Sequence, residues 1–287
     1  MKSFIDYLRK ITKLTYKIRG ISRIGNLIRK AYCQSNKVIL INDFDKNLSF
    51  YCDLNEHMGS YIFWRGFYSE GQIYLLERLL KQDMIFIDVG ANHGEFTLFA
   101  AKRLTQGLVI AFEPVSFIFK KLKRNVELND LSNVILIPKG LGYTNQKTTL
   151  YGTEKHHIDG SKNEGLYSTK LINDRSTIYE EVEIIRLDDF LKSLEISKVD
   201  IIKIDVEGSE LDVLMGARNS IKKFKPLIIL EVCELTSSAA GYCSSQLLDY
   251  LDEMGYEFKL IMRHGKTCPI TVEKLSSFQN IICLPKH

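Results

Sequence analysis

The apolar residues of this chain alternate between two rhythms. Short runs of four or five, Ile85–Val89, Leu108–Phe112, Val134–Ile137, Ile201–Ile204 and Leu227–Leu230, are rich in β-branched residues. They read as strands buried on both faces, as in a parallel sheet. Between them the spacing changes to three or four: Phe119, Leu122 and Val126 after a capping Ser116, then Leu211, Leu214 and Met215, then Leu247, Leu251 and Met254. Those stretches read as helices with one apolar face. Strand and helix in alternation predict an α/β fold with a doubly wound sheet. Two late runs, Phe258–Met262 and Asn280–Leu284, are expected to close the sheet as an antiparallel hairpin, and residues 37–52 read as a separate hairpin across Asn42–Asn47. Strands at 147–152 and 181–187 flank a polar stretch from Thr153 to Glu180 that contains His156, His157 and Tyr167. A loop of that length is usually a lid or binding loop. The histidine pair reads as solvated rather than as substrate or metal ligands.

The first thirty residues keep the helical rhythm but differ in composition. Ile5, Leu8, Ile11, Leu14, Ile18, Ile21, Ile24 and Ile28 recur every three or four positions, with Gly20 and Gly25 as expected breaks. Nine Lys or Arg stand against the single Asp6, a net of +8, which leaves −4 for the rest of a chain whose total is +4. The division expected is a basic amphipathic helical segment over 1–35 and one domain over 36–287. Such a segment suits either a peripheral membrane-surface contact or docking on the body or a second copy through residues 1–30. The mildly acidic remainder argues against nucleic acid as a partner.

The chemistry gathers at Asp88-Val89-Gly90-Ala91-Asn92-His93-Gly94. A strand, a glycine turn and a helix form the first half of a nucleotide-binding unit, with the helix N-terminus aimed at the ligand. The second glycine of a dinucleotide G-x-G motif is Asn92 here. An acid at Asp88 suits a ligand with a cationic ammonium end rather than a pyrophosphate. Glu113, before Pro114 at the end of the next strand, is placed to meet ribose hydroxyls. S-adenosylmethionine carries both groups. Asp205 and Glu231 also follow apolar runs, so Asp88, Glu113, Asp205 and Glu231 are all expected in one crevice at the carboxyl ends of the strands.

Phe86-Ile87-Asp88-Val89-Gly90-Ala91-Asn92-His93-Gly94, Lys203-Ile204-Asp205-Val206-Glu207-Gly208 and Ile228-Ile229-Leu230-Glu231 together resemble the FkbM-type methyltransferases over roughly residues 55 to 235. The resemblance implies a Rossmann-like class I methyltransferase fold. Its parts would be a seven-stranded, mostly parallel doubly wound sheet, an antiparallel C-terminal hairpin and an inserted β-hairpin. It also implies S-adenosylmethionine as donor and O-methylation of a glycan or small-molecule hydroxyl. Asp88, Gly90, Ala91, Asn92, Gly94, Glu113 and Pro114 would bind the donor. Asp205, Glu207 and His93 are the candidate catalytic residues. Asp205 and Glu207 have a second reading, in which Asp205 orients the donor's ammonium and Glu207 fixes the following turn. A magnesium ion held by Asp205 and Glu231 is a less favoured addition. Two other functions share parts of the pattern: a nicotinamide-dependent oxidoreductase, and a non-catalytic binding module of the same fold. Trp64, Phe67 and Tyr68 could cover the donor, although ordinary core packing suits each ring better.

At 287 residues and 45% hydrophobic composition there is material for one large core. No apolar run approaches the roughly 20 residues of a membrane span, and no signal-peptide pattern follows the basic N-terminus. The six cysteines form no C-x-x-C pair, which argues against zinc and for reduced thiols. The location expected is cytoplasmic, with peripheral contact at the inner face of the membrane as the alternative set by residues 1–30.

Overall fold

A computed structural model describes residues 2–16, 18, 22–32, 37–152, 167–169 and 177–286. His156, His157, Gly20, Ile21 and Cys33 lie outside the described residues. The chain divides into two compact units, one of residues 1–69 with 127–129, the other holding most of residues 70–287.

In the first unit, α1 (Lys2–Thr15) and α2 (Ser22–Tyr32) precede a hairpin of β1 (Val38–Phe44) and β2 (Leu48–Asp53), then α3 (His57–Arg65). The expected hairpin is present, with Ile41 opposite Phe50. Helix α3 starts where the Glu56 carboxylate accepts the amides of Met58 and Gly59, so an acid closes the helix's positive end. Two of the three aromatics pack as core, Trp64 buried against Phe63 and Tyr32 and Phe67 edge-on to Phe44, whereas Tyr68 is exposed.

The second unit contains α4 (Glu70–Leu79), β3 (Ile85–Val89), α5 (Glu95–Ala101), β4 (Leu108–Phe112), α6 (Ser116–Glu127) and β5 (Val134–Ile137). Next come β6 (Gly140–Leu141), β7 (Gln146–Gly152), β8 (Thr177–Ile185), α7 (Leu187–Ser193) and β9 (Ile201–Ile204). The chain continues with α8 (Glu210–Gly216), α9 (Arg218–Phe224), β10 (Leu227–Cys233), α10 (Glu234–Ala239), α11 (Ser245–Asp252), β11 (Tyr256–Ile261), β12 (Thr267–Pro269) and β13 (Phe278–Pro285). The main sheet runs β12-β11-β13-β10-β9-β3-β4-β5. The pairs from β10 to β5 are parallel, and β13, β11 and β12 are antiparallel.

This is the expected doubly wound α/β sheet, with one strand more than the seven anticipated. The extra edge strand, β12, is only three residues long and includes Pro269. That is too short and too polar to register as a hydrophobic run, and a short, proline-bearing edge is one that resists further pairing. The inserted hairpin gains a third member, because β6 pairs in parallel with β8 to form a separate sheet β6-β8-β7. Strand β8 starts at Thr177, earlier than the expected 181, and gives way to α7 at Leu187.

Ile87, Ile110, Ile202, Ile228 and Leu230, from adjoining strands, share one fully buried core with Leu214 and Leu248 from the helices. Each such side chain contributes roughly 1.5–3 kcal/mol of hydrophobic stabilisation. That core fixes the strand ends that carry the polar groups described next.

Candidate active site

Strands β3 and β9 lie side by side in register, Asp88 opposite Lys203 and Val89 opposite Ile204. Each ends in a turn. After β3 the chain passes through Gly90, Asn92 and Gly94, all with positive φ (75°, 50° and 96°). The amides of Gly90 and Ala91 both donate to the carbonyl of Phe112 at the end of β4. A Cβ on Gly90 would stand 1.9 Å from the carbonyl oxygen of Asp205, so only glycine allows the two turns to approach this closely.

Asp88 is fully buried. Its Oδ2 accepts the Thr97 hydroxyl at 2.6 Å, while Oδ1 has no hydrogen bond and lies 3.6 Å from the Lys203 ammonium. Burial raises its pKa, against the pull of Lys203 and Thr97. Glu113 is also buried. One oxygen accepts the amide of Asn92 at 2.9 Å and the other that of Val115 at 3.0 Å, and burial outweighs both to push its carboxyl up to about 7. Each oxygen keeps a second lone pair for a ligand hydroxyl. Pro114 is half-buried beside it.

Lys203 was overlooked in the sequence and holds the two turns together. Its Nζ donates to the carbonyl of Gly90 at 2.8 Å, lies 3.6 Å from both Asp88 and Asp205, and sits over the Phe96 ring. Burial pulls its pKa down, but Asp205, Asp88, Glu231 and Glu113, in that order, pull it up by more. The signal was available: a lysine inside Ile-Ile-Lys-Ile, on a strand covered on both faces, must find buried counter-charges.

After β9 the second turn is more open. Asp205 is one-third exposed and its backbone amide donates to the carbonyl of Val89. Glu207, half-buried, adopts φ +55° and Gly208 φ +101°. The turn is fastened by buried Glu210, whose carboxylate accepts the amides of Val206 and Gly208 and the Tyr242 hydroxyl. Ser168, from the described part of the long 153–180 stretch, donates to the carbonyl of Glu207 at 2.9 Å, and Thr169 bonds Ser209.

Glu231 lies inside β10 rather than at its end. Pairing with β13 carries β10 on to Cys233, with Glu231 opposite Asn280. Its carboxyl still reaches the second turn. Carboxylate oxygens of Asp205, Glu207 and Glu231 all lie within 4.8 Å of one another. Burial first, then the charges of Asp205, Glu207 and Glu210, push the Glu231 carboxyl up to about 10, so it holds a proton at neutral pH.

His93 belongs to the glycine turn in sequence but not to this cluster. It is 2% exposed, and burial with Lys121 nearby depresses its pKa to about 3, which makes it a weak base. Asn92 caps its amide and Asn125 binds its carbonyl.

The group of three acids has the donor types for a magnesium ion, although the Lys203 ammonium already supplies a cation beside Asp205. The first turn fits S-adenosylmethionine on its own features. Asp88 offers a buried acceptor oxygen without a hydrogen bond, and Glu113 has spare acceptor capacity one strand away.

Residues 88–258, well over half the chain, match the methyltransferase FkbM domain family. The chain is 30% identical over 165 residues to Methyltransferase 1 of Beauveria bassiana, covering 53% of this chain and 66% of that protein. It is 26% identical over 166 residues to hexuronic acid methyltransferase AglP of Haloferax volcanii, covering 55% and 59%. The crystal structure of methyltransferase FkbM from Methylobacillus flagellatus superposes with a TM-score of 0.47 at 16% identity, over 92% of this chain and 60% of that one. The aligned segments thus span under two thirds of the length of each of these three proteins.

Proposed function

The chain belongs to the FkbM family of S-adenosylmethionine-dependent methyltransferases, and from that premise we propose that it methylates a hydroxyl of a sugar, polysaccharide or glycolipid precursor. The observation that carries this reading is the meeting of Asp205, Glu207 and Glu231 beside the donor turn. The donor, when bound, supplies an electrophilic methyl on a sulfonium with an excellent leaving group. What remains for the protein is alignment and, for a hydroxyl acceptor, removal of its proton as the oxygen attacks. Three acids at one place fit that need better than they fit a nitrogen or sulfur acceptor. One relative is named for a hexuronic acid, which agrees with a sugar as the acceptor.

The residues divide the work. Asp88 and the Gly90–Gly94 backbone hold the methionine end of the donor, and Glu113 holds its ribose. Lys203 holds Asp205 in an ion pair at 3.6 Å and so fixes where it points. Glu231 retains its proton at neutral pH and so cannot serve as the base. Glu207 is then the base that takes the acceptor's proton, while Asp205 orients. His93 is the least suited of the candidates because it is buried and weakly basic. The 153–180 stretch, which touches the Glu207 turn through Ser168, is the natural place for acceptor selection. The oxidoreductase alternative falls with the family assignment.

The test separates base from binder. In Glu207→Gln, turnover should fall at least about 10²-fold while affinity for S-adenosylhomocysteine stays within about twofold. Asp88→Asn should instead weaken S-adenosylhomocysteine binding through its amino-acid end. If Glu207→Gln retains full turnover on an acceptor found by glycan mass spectrometry, Glu207 is not the base. If wild-type protein binds S-adenosylhomocysteine but methylates no hydroxyl in a glycan extract, the acceptor reading fails.

A further inference from the structure

The rhythm of residues 2–15 reveals apolar positions but not the direction they face. The structure separates them into two faces of α1. One is taken up inside the first unit, with Ile5, Arg9 and Thr12 buried. Arg9 donates to the carbonyl of Phe63 at 2.8 Å and stacks over the Phe63 ring. Arg9 and Lys13 together clamp Asp43 at 2.6 and 2.9 Å. The helix is held by this face through polar as well as apolar contacts.

Among the described residues, the other face is exposed. Phe4, Tyr7, Ile11 and Leu14 stand at i, i+3, i+7 and i+10, which places them within an arc of roughly 80° on the far side of the helix from Ile5, Arg9 and Thr12. They are 60%, 62%, 38% and 78% exposed. Ile18, past the end of α1, and Leu27 on α2 are also exposed, at 49% and 66%. Single exposed apolar side chains are ordinary, but a row of large ones marks a surface that something covers.

Charge indicates what covers it. The row lies in the segment with nine basic residues against one acid. Lys10, next to the row on α1, and Lys30 on α2 are exposed. The occupant must therefore offer apolar depth and negative charge together. A second copy docked face to face would bring two segments of net +8 against each other. Among the described residues no helix is long and apolar enough to cross a membrane.

We propose that the outer face of α1 docks on an anionic lipid surface. The helix lies in the plane of the interface. Phe4, Tyr7, Ile11 and Leu14 enter the acyl region, and Lys10 with its basic neighbours meets the headgroups. This does not depend on the acceptor assignment, because the evidence for it lies in the first unit alone.

The experiment is co-sedimentation of the full chain with phosphatidylcholine vesicles, with and without phosphatidylglycerol. Binding should be at least about tenfold stronger to the anionic vesicles and should weaken as salt is raised. Tyr7→Glu with Leu14→Glu should abolish it, with the circular dichroism spectrum and S-adenosylhomocysteine binding unchanged. Lys10→Glu should lower it several-fold. Should the double variant fold poorly, Leu14→Trp gives an independent measure: its emission shifts to the blue and is quenched by brominated lipid only in anionic vesicles. Equal binding to neutral vesicles, full binding by the double variant, or an unquenched Leu14→Trp would each overturn the proposal. So would a dimer in sedimentation equilibrium that Tyr7→Glu with Leu14→Glu dissociates, since the face would then be occupied by a second copy.

Discussion

Two neighbouring turns begin alike and end differently. Asp88-Val89-Gly90 closes β3, and Asp205-Val206-Glu207-Gly208 follows β9. In the first, the acid is wholly buried and bonded to Thr97, and the backbone bends through three positive-φ positions, Gly90, Asn92 and Gly94. In the second, the acid is one-third exposed, the positive φ falls on Glu207 as well as glycine, and the carboxylates face one another. The two turns thus differ in the burial and exposure of their acids, which is what the roles proposed for them, holding the donor and acting on the acceptor, draw on. The same Asp-Val start gives two outcomes because the register across β3 and β9 sets Asp88 beside Lys203 in the core, while Asp205 lies beyond the last paired residue.

The sharpest way to break that arrangement is at the contact between the turns. Gly90→Ala forces a Cβ to 1.9 Å from the Asp205 carbonyl at φ +75°. Neither backbone can retreat without leaving the sheet, so the loss should exceed about 4 kcal/mol. Gly241→Ala is the control: φ is +88° there, but no atom lies within 4 Å. It should cost about 1 kcal/mol for conformation alone. Urea denaturation of the two variants measures the difference, and equal losses would mean that the turns do not depend on this contact.

The next largest effect belongs to Lys203, shared by both turns. Lys203→Met leaves buried Asp88 without its cation, which should cost about 3–5 kcal/mol near pH 8. The sign with pH follows from the direction of the Asp88 shift. A carboxyl whose folded pKa is raised binds its proton more readily folded than unfolded, so the penalty of leaving it charged fades as pH falls. The deficit of Lys203→Met should therefore shrink towards pH 5. Adding Asp88→Asn should recover part of it, because the unpaired charge is gone. A deficit constant from pH 5 to 8 would assign it to lost packing instead.

The sequence disclosed most of this frame for a simple reason. Short β-branched apolar runs that stop at a glycine turn or an acid read as strands buried on both faces, so β3, β4, β9 and β10 could be placed, and with them the acids. Direction was harder to read. His93 looked available because the turn around it is polar in sequence, yet its ring turns into the core. Glu231 was expected at a strand end, but β10 continues because β13, about fifty residues later, pairs with it. The positive φ of Glu207 leaves no trace in residue type, unlike that of Gly90. Lys203 was legible as a misfit in an apolar strand, but its partners lie on other elements, 113 residues away in the case of Gly90.

The smallest predicted effect separates the two turns by pH. Glu113 serves the first turn, and burial raises its carboxyl to about 7, above the ordinary 4.5. In the free protein it binds protons that the unfolded chain would release between those values. Its contribution to stability is therefore full below pH 4.5 and is lost as pH rises through 7. Ligand binding runs the other way. Ribose hydroxyls donate to a carboxylate better than to a carboxylic acid that must spend a lone pair on its own proton. Affinity for S-adenosylhomocysteine should thus rise about tenfold from pH 6 to 8 as Glu113 ionises, and Glu113→Gln should flatten the profile at the weaker level. Glu231, with its carboxyl near 10, keeps its proton across that range and contributes no inflection. Calorimetric titration at several pH values reads the difference directly. An inflection that survives in Glu113→Gln would transfer the titration to another group of the first turn, Asp88 being the buried acid that remains there.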